Sequence, residues 1–136
     1  MTPAPCALCG GDGGEVLFRD DLLRVVLVDE PGYPGFVRVI ANAHVREMTD
    51  LAAADRQAVE AAQRRVLAPH KVNLASLGNM TPHVHWHVIP RFADDAHFPE
   101  PIWGTRRREP DPGCLAERRS RLAALRAAIA AGLAAG

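Results

Sequence analysis

Lysine is almost missing from this chain. Fifteen of its 16 basic residues are arginine, and Lys71 is the sole lysine. With the abundant alanine, that bias reads as genomic base composition as much as function. Net charge is missing as well, because 16 acidic residues balance the 16 basic ones. A general nucleic-acid binder would carry a basic excess. No apolar run approaches the roughly 18 residues that suggest a membrane span. The N-terminus lacks the basic-then-apolar order of a secretory signal. The default expectation is a cytoplasmic protein with neither nucleic acid nor membrane as partner. Cysteine is scarce: Cys6, Cys9 and Cys114 make no disulfide framework in that setting. There is no internal repeat. What remains is ordinary for a folded domain: 136 residues with 48% hydrophobic composition, enough for a core and best read as one domain over 1–136.

Residues 1–13 hold Pro, Gly and two cysteines and are expected to be irregular. Glu15–Arg19 can form a short strand. Leu22–Asp29 is a near-continuous apolar run with β-branched residues, the pattern of a buried strand. Two prolines and two glycines make 30–35 a turn, and Phe36–Ala41 is a third strand. Thr49 or Asp50 suits a helix N-cap, and Ala52–Leu67, ended before Pro69, is the main helix. Lys71–Leu77 and Val84–Ile89 are strands joined by the tight loop 78–82. The Pro-rich segment 93–113, with Arg106, Arg107 and Arg108, reads as an extended arm whose apolar part, Phe98–Trp103, can pack across a partner subunit. From 114 to 134 Leu115, Leu122, Leu125 and Ile129 share one helical face. Strands grouped around one main helix, without βαβ alternation, predict an α+β fold with an antiparallel five-stranded meander.

One run stands out: Pro82-His83-Val84-His85-Trp86-His87-Val88-Ile89-Pro90. Side chains at i, i+2 and i+4 of a strand line one face, so His83, His85 and His87 would project together while Val84, Trp86 and Val88 face the core. Imidazole is costly to bury unpaired and titrates near neutral pH, so three in a row invite a chemical role. Three structural histidines on a solvated face is the bland alternative. A single metal on all three is another, although alternate strand residues lie roughly 6.5–7 Å apart at Cα, which strains a third ligand.

The run His83-Val84-His85-Trp86-His87-Val88-Ile89 resembles the signature of the histidine triad (HIT) superfamily of nucleotide hydrolases and transferases. Val25–Asp29 with Pro31, Pro34 and Gly35, then Phe36–His44 and Glu47–Leu51, resemble in order the family's nucleoside-binding strand, next strand and helix entry. The resemblance covers roughly residues 6–92. It implies a HIT-like fold and cleavage at the α-phosphate of a nucleoside 5′-phosphate derivative, either a dinucleoside polyphosphate or a nucleoside phosphoramidate. It implies His85 as nucleophile, through a nucleotidyl-histidine intermediate, and His87 as hydrogen-bond donor to the phosphoryl or bridging oxygen. Neutral imidazole is a competent nucleophile, and a backbone carbonyl would fix its tautomer. Asn79 by its side chain and Met80 by its backbone would bind phosphate, with Asn73 in reach. Many relatives have a hydroxyl or amide near the position of Met80, and a thioether cannot protonate a leaving group. Asp29 would hold the ribose hydroxyls, or else it simply initiates a turn. Leu27, Val28, Phe18 and Ile40 would touch the base, or else they are core.

Cys6-Ala7-Leu8-Cys9 is half of a tetrahedral zinc site by its spacing. Some HIT relatives complete such a site with a histidine after the third strand and the first histidine of the triad, which here are His44 and His83. That zinc would be structural, with none required for catalysis; two reduced thiols on a loose terminus is the competing reading. The family also implies a homodimer that joins two sheets. Two further functions stand beside the enzyme: a nucleotide-binding regulatory module with little catalysis, and a zinc-stabilised interaction protein.

Overall fold

The computed structural model describes residues 6–44 and 53–134, so the expected N-cap at Thr49 or Asp50 and the stretch Glu47–Leu51 lie outside the described residues. A one-turn helix, α1 (Ala7–Gly10), precedes three strands: β1 (Glu15–Arg19), β2 (Leu23–Leu27) and β3 (Val37–Ala41). Helix α2 (Ala53–Leu67), strands β4 (Lys71–Ala75) and β5 (His85–Arg91), and helices α3 (Pro112–Ser120) and α4 (Leu122–Ala134) follow. All strand pairs are antiparallel in the order β1-β2-β3-β5-β4. The first three strands meander as expected. The last two exchange places: α2 carries the chain across one face, β4 lands at the free edge, and β5 returns between β4 and β3. The triad strand is therefore interior to the sheet.

Alternation along the strands divides the molecule. Leu23, Val25 and Leu27 of β2, Val37 and Val39 of β3, and Val88 of β5 face the helices and form the core with Val59 and Ala62 of α2 and Leu125, Ile129 and Leu133 of α4. The spacing of the last three at i, i+4 and i+8 is a helical stripe. Gln63 of α2 is fully buried and donates to the carbonyls of Gly35 and Val88, both at 2.9 Å, so it ties the helix to β5. Gly35 takes φ +87° where an added Cβ would collide with Cδ1 of Leu67; both the backbone angle and the close approach require glycine.

Three local readings are revised. Residues 7–10 are helical because the Cys6 carbonyl accepts the N–H groups of Cys9 and Gly10 at 3.1 and 3.0 Å. The C-terminal helix is two helices, broken at Arg121, whose φ −90° and ψ −2° leave the α-helical path; it also starts earlier than expected, with Asp111 as N-cap accepting from Gly113 N at 3.1 Å and Pro112 in the first turn. The 93–113 segment is not an extended arm. It folds back on its own sheet around Asp95, whose buried carboxylate accepts from Arg91 Nε at 2.7 Å, Arg91 Nη2 at 2.9 Å, and the backbone N–H groups of Phe92, His97 and Phe98 at 3.1, 3.1 and 2.8 Å. Burial alone would raise the Asp95 pKa; the Arg91 bond and the three N–H donors outweigh it and hold the group at about 2.

Candidate active site and metal centre

The face of the sheet away from the helices carries Arg24 and Val26 of β2, Arg38 and Ile40 of β3, His85, His87, Ile89 and Arg91 of β5, and Asn73 of β4, as the pairings Arg38 to His87, Ile40 to His85 and Asn73 to Ile89 require. All three triad histidines are buried, but they divide into two groups. His85 and His87 meet edge to face with ring centroids 4.9 Å apart. His83, just before the strand, packs its ring against His44 at 5.2 Å and belongs to a second centre.

His85 Nδ1 lies 2.6 Å from the carbonyl oxygen of His83. A carbonyl only accepts, so Nδ1 carries a proton, and in the neutral ring Nε2 holds the lone pair. The carbonyl of His85 in turn accepts the Ser76 hydroxyl at 2.8 Å, which fastens the strand. Burial, then the neighbouring His85 and Arg38, push the pKa of His87 down to about 4, so it is neutral at pH 7. Among the described residues its buried Nδ1 has no partner, and its ring lies edge to face with Phe36 and Trp103 at centroid distances of 5.5 and 5.1 Å.

The expected substrate residues are scattered around this pair. Asn73 is on the same face, one step along β4 from Ala75, the partner of His87, and its Oδ1 accepts from Arg91 at 2.8 Å. Gly78 turns the loop at φ +68°, with Asn79 and Met80 exposed beyond it, Met80 by 97%. Asp29 is exposed past the end of β2, where it lines a cavity of about 470 Å³ with Pro34, Arg119 and Arg126. Among the described residues no hydrogen bond joins it to the triad. Of the base-contact candidates, Leu27 and Phe18 sit in or against the helix-side core, whereas Val28 packs toward Tyr33, Phe36 and Ile89, and Ile40 packs with Leu8 and Val26.

The second centre brings Cys6, Cys9, His44 and His83 together, their ligand atoms all within 4.8 Å of one another. Cys9 Sγ is 3.2 Å from His44 Nδ1, both sulfurs are 3.5 Å from His83 Nδ1, and the two Nδ1 atoms are 3.3 Å apart. A tetrahedral zinc, with bonds of about 2.3 Å to sulfur and about 2.05 Å to nitrogen, holds nitrogen and sulfur ~3.5 Å apart and two nitrogens ~3.3 Å apart. The donor set fits zinc in chemistry and in spacing. His83 Nε2, 2.6 Å from the carbonyl oxygen of Ala41, holds the ring proton, so Nδ1 is free to ligate. Arg24 braces the loop from below, donating to the carbonyls of Leu8, Gly11 and Asp12 at 2.6, 3.1 and 3.0 Å.

Sequence reasoning missed two neighbours of His87. Alternation along β3 made the face of Arg38 legible, but its place across from His87 depends on β5 lying beside β3. Arg38 donates to the Gly13 carbonyl at 3.2 Å, its buried Nε has no partner among the described residues, and desolvation lowers its pKa. Among the described residues it forms no ion pair. Trp103 had no local signal, because the arm's return path depends on the Asp95 hub.

Family membership follows from the match itself. The HIT domain model matches residues 13–94 of 136. The chain belongs to the HIT domain family. AP-4-A phosphorylase from Mycobacterium tuberculosis (strain H37Rv) is 32% identical over 106 residues, 68% of this chain and 54% of the relative. The chain thus spans about half the length of the curated relatives it matches. A histidine triad protein from Bradyrhizobium japonicum shares the fold with TM-score 0.68 and 25% identity, covering 87% of this chain and 92% of the other. A Zn-bound histidine triad family protein from Mycobacterium smegmatis aligns over 96% of this chain and 95% of the other, with TM-score 0.59 and 25% identity. The HIT fold thus accounts for the sheet and for the placement of the triad strand within it.

Proposed function

We propose that this HIT protein is a nucleotide hydrolase or transferase acting at the α-phosphate of a nucleoside 5′-phosphate derivative, through a nucleotidyl intermediate on His85. The observation that carries the reading is the 2.6 Å bond from His85 Nδ1 to the His83 carbonyl, which in the neutral ring leaves the lone pair on Nε2. Nε2 attacks the α-phosphorus and forms a P–N bond; the bond from phosphorus to the leaving group breaks, and the leaving group takes that electron pair. The ring becomes cationic, and the carbonyl at Nδ1 stabilises it. His87, neutral, donates from Nε2 to the phosphoryl or bridging oxygen. Asn73, the Asn79 side chain and the Met80 N–H hold phosphate oxygens, and Asp29 takes the ribose hydroxyls. Water then attacks phosphorus, His85 departs, and a nucleoside monophosphate and one proton are released. Inorganic phosphate in place of water would give the diphosphate, an outcome that the names of the M. tuberculosis relatives favour.

Product chromatography with diadenosine tetraphosphate tests this. The expected products are AMP and ATP in phosphate-free buffer, shifting to ADP and ATP if phosphate is the acceptor. No turnover of that compound or of adenosine phosphoramidate would remove the enzyme and favour the regulatory nucleotide-binding module.

Cys6, Cys9, His44 and His83 are the proposed zinc ligands. With four protein ligands the site is closed, so the metal would brace the triad strand and take no part in the reaction. The free edge at β4, where Leu74 is 43% and Leu77 in the following loop 56% exposed, is the proposed place for a second copy to pair; sedimentation should show a dimer.

A further inference from the structure

Between β4 and the returning arm lies a hollow of about 420 Å³, lined among others by Lys71, Asn73 and Ala75 of β4, Ile89 of β5, and Trp103. It adjoins the reacting pair from two sides. Ala75 is the cross-strand partner of His87, and the Trp103 ring lies 5.1 Å from the His87 ring. We infer that this hollow is the subsite for an aromatic leaving group, a second nucleoside carried on phosphate, with the Trp103 indole as its stacking platform. The inference rests on the proposed role of His85.

The indole is placed as a platform. It is 52% exposed although it touches a buried catalytic imidazole, so one part of the ring is held and the other is open. The backbone behind it is fixed: Ile102 packs against the Tyr33, Phe36 and Ile89 cluster, the Gly104 N–H bonds to the Pro101 carbonyl at 2.8 Å, and Arg91 Nη2 reaches the Glu100 carbonyl at 2.7 Å. A preset aromatic surface loses little freedom on binding, and every base offers a π-face to stack. The hollow falls in the size range of small-ligand pockets, about 300–1,000 Å³. Lys71, the only lysine in the chain, puts a cation at its far end, which suits a phosphate-bearing group and not a neutral amine.

Proton accounting points the same way. The Met80 thioether has no proton to give. His87 is a neutral imidazole, a poor acid at pH 7. An amine leaving a phosphoramidate needs a proton as the P–N bond breaks. A polyphosphate does not: the P–O bond to the bridging oxygen breaks, that oxygen keeps the pair, and the group leaves as an anion. The donors present serve phosphoanhydride cleavage without addition.

The test compares two substrates cleaved at the same bond. Attack at the α-phosphate of diadenosine tetraphosphate releases ATP; attack at that of adenosine 5′-tetraphosphate releases tripolyphosphate, which has no base to stack. The wild-type ratio of kcat/KM for the first over the second should be roughly ten- to hundred-fold, the range base–aromatic stacking commonly gives. Trp103→Leu should bring that ratio near one, and Trp103→Phe should restore most of it. A wild-type ratio near one, or a ratio unmoved by Trp103→Leu, overturns the subsite. A second readout does not depend on turnover. Titration of wild type with ATP should quench fluorescence that Trp103→Leu lacks; an indole 103 that ignores ATP overturns the subsite even if catalysis by His85 stands. Absent turnover with the quench intact would instead remove the catalytic reading and leave the binding surface.

Discussion

His85 and His87 show how much of a side chain's chemistry its fold decides. Both are imidazoles on one strand face. A carbonyl partner fixes the tautomer of His85, the proposed nucleophile, and burial beside a cation keeps His87 neutral. His85→Ala should lower kcat/KM by at least roughly a thousand-fold, because the P–N bond has no other donor; steady-state turnover of the preferred nucleotide checks it. His87 also makes a pH prediction. Its pKa, about 4 in the fold, is below the unfolded value near ~6.5. Above ~6.5 both states are neutral and it contributes nothing; as pH falls from 6.5 toward 4 the unfolded chain binds the proton first, and stability is lost, by roughly 3 kcal/mol at most. Urea unfolding of His87→Asn should show a shallower decline than wild type over that window, and identical slopes would contradict the burial argument.

At the scale of elements, two joints hold the site in place. The Arg91–Asp95 pair is buried, with side-chain exposures of 2% and 1%, and it anchors the arm that presents Trp103. Removing one partner of such a pair strands the other charge, so Asp95→Ala should cost about 3–5 kcal/mol and raise amide exchange across the 96–108 segment. The Gly35 turn is the other joint. Gly35→Ala must adopt φ +87° and push back Leu67, and should cost more than about 1 kcal/mol in urea unfolding. The strands themselves were legible, since β1 spans Glu15–Arg19 as its composition suggests and β2, β3 and β4 fall inside their predicted ranges. Period-two alternation survives any context. The β4/β5 exchange was not legible, because strand order depends on where α2 sets the chain down. Nor was the arm's return path, which a single carboxylate organises.

Across the whole molecule, two centres adjoin one strand, with His83 just ahead of β5 and His85 and His87 on it. The cysteine pair and His44 are remote from the triad in sequence, yet they meet at His83, two residues from the proposed nucleophile, whose ring N–H the His83 carbonyl accepts. The spacing of Cys6 and Cys9 made the cluster legible; its completion by His44 and His83 was carried by family resemblance. Chelation of the purified protein should lower Tm by several degrees, and Cys9→Ser should abolish stoichiometric zinc in elemental analysis, whereas His85→Ala should leave zinc unchanged. Zinc lost from His85→Ala would mean that the triad serves the metal. By the same token the helix-side core explains stability, whereas His85 and His87 stand on the opposite face.

Covalent catalysis by His85 is read out by intact mass spectrometry after a rapid, acid-free quench with diadenosine tetraphosphate. A nucleotidyl adduct is expected on the wild-type protein and not on His85→Ala. Turnover with no adduct on wild type, or an adduct that persists in His85→Ala, would contradict covalent catalysis by His85.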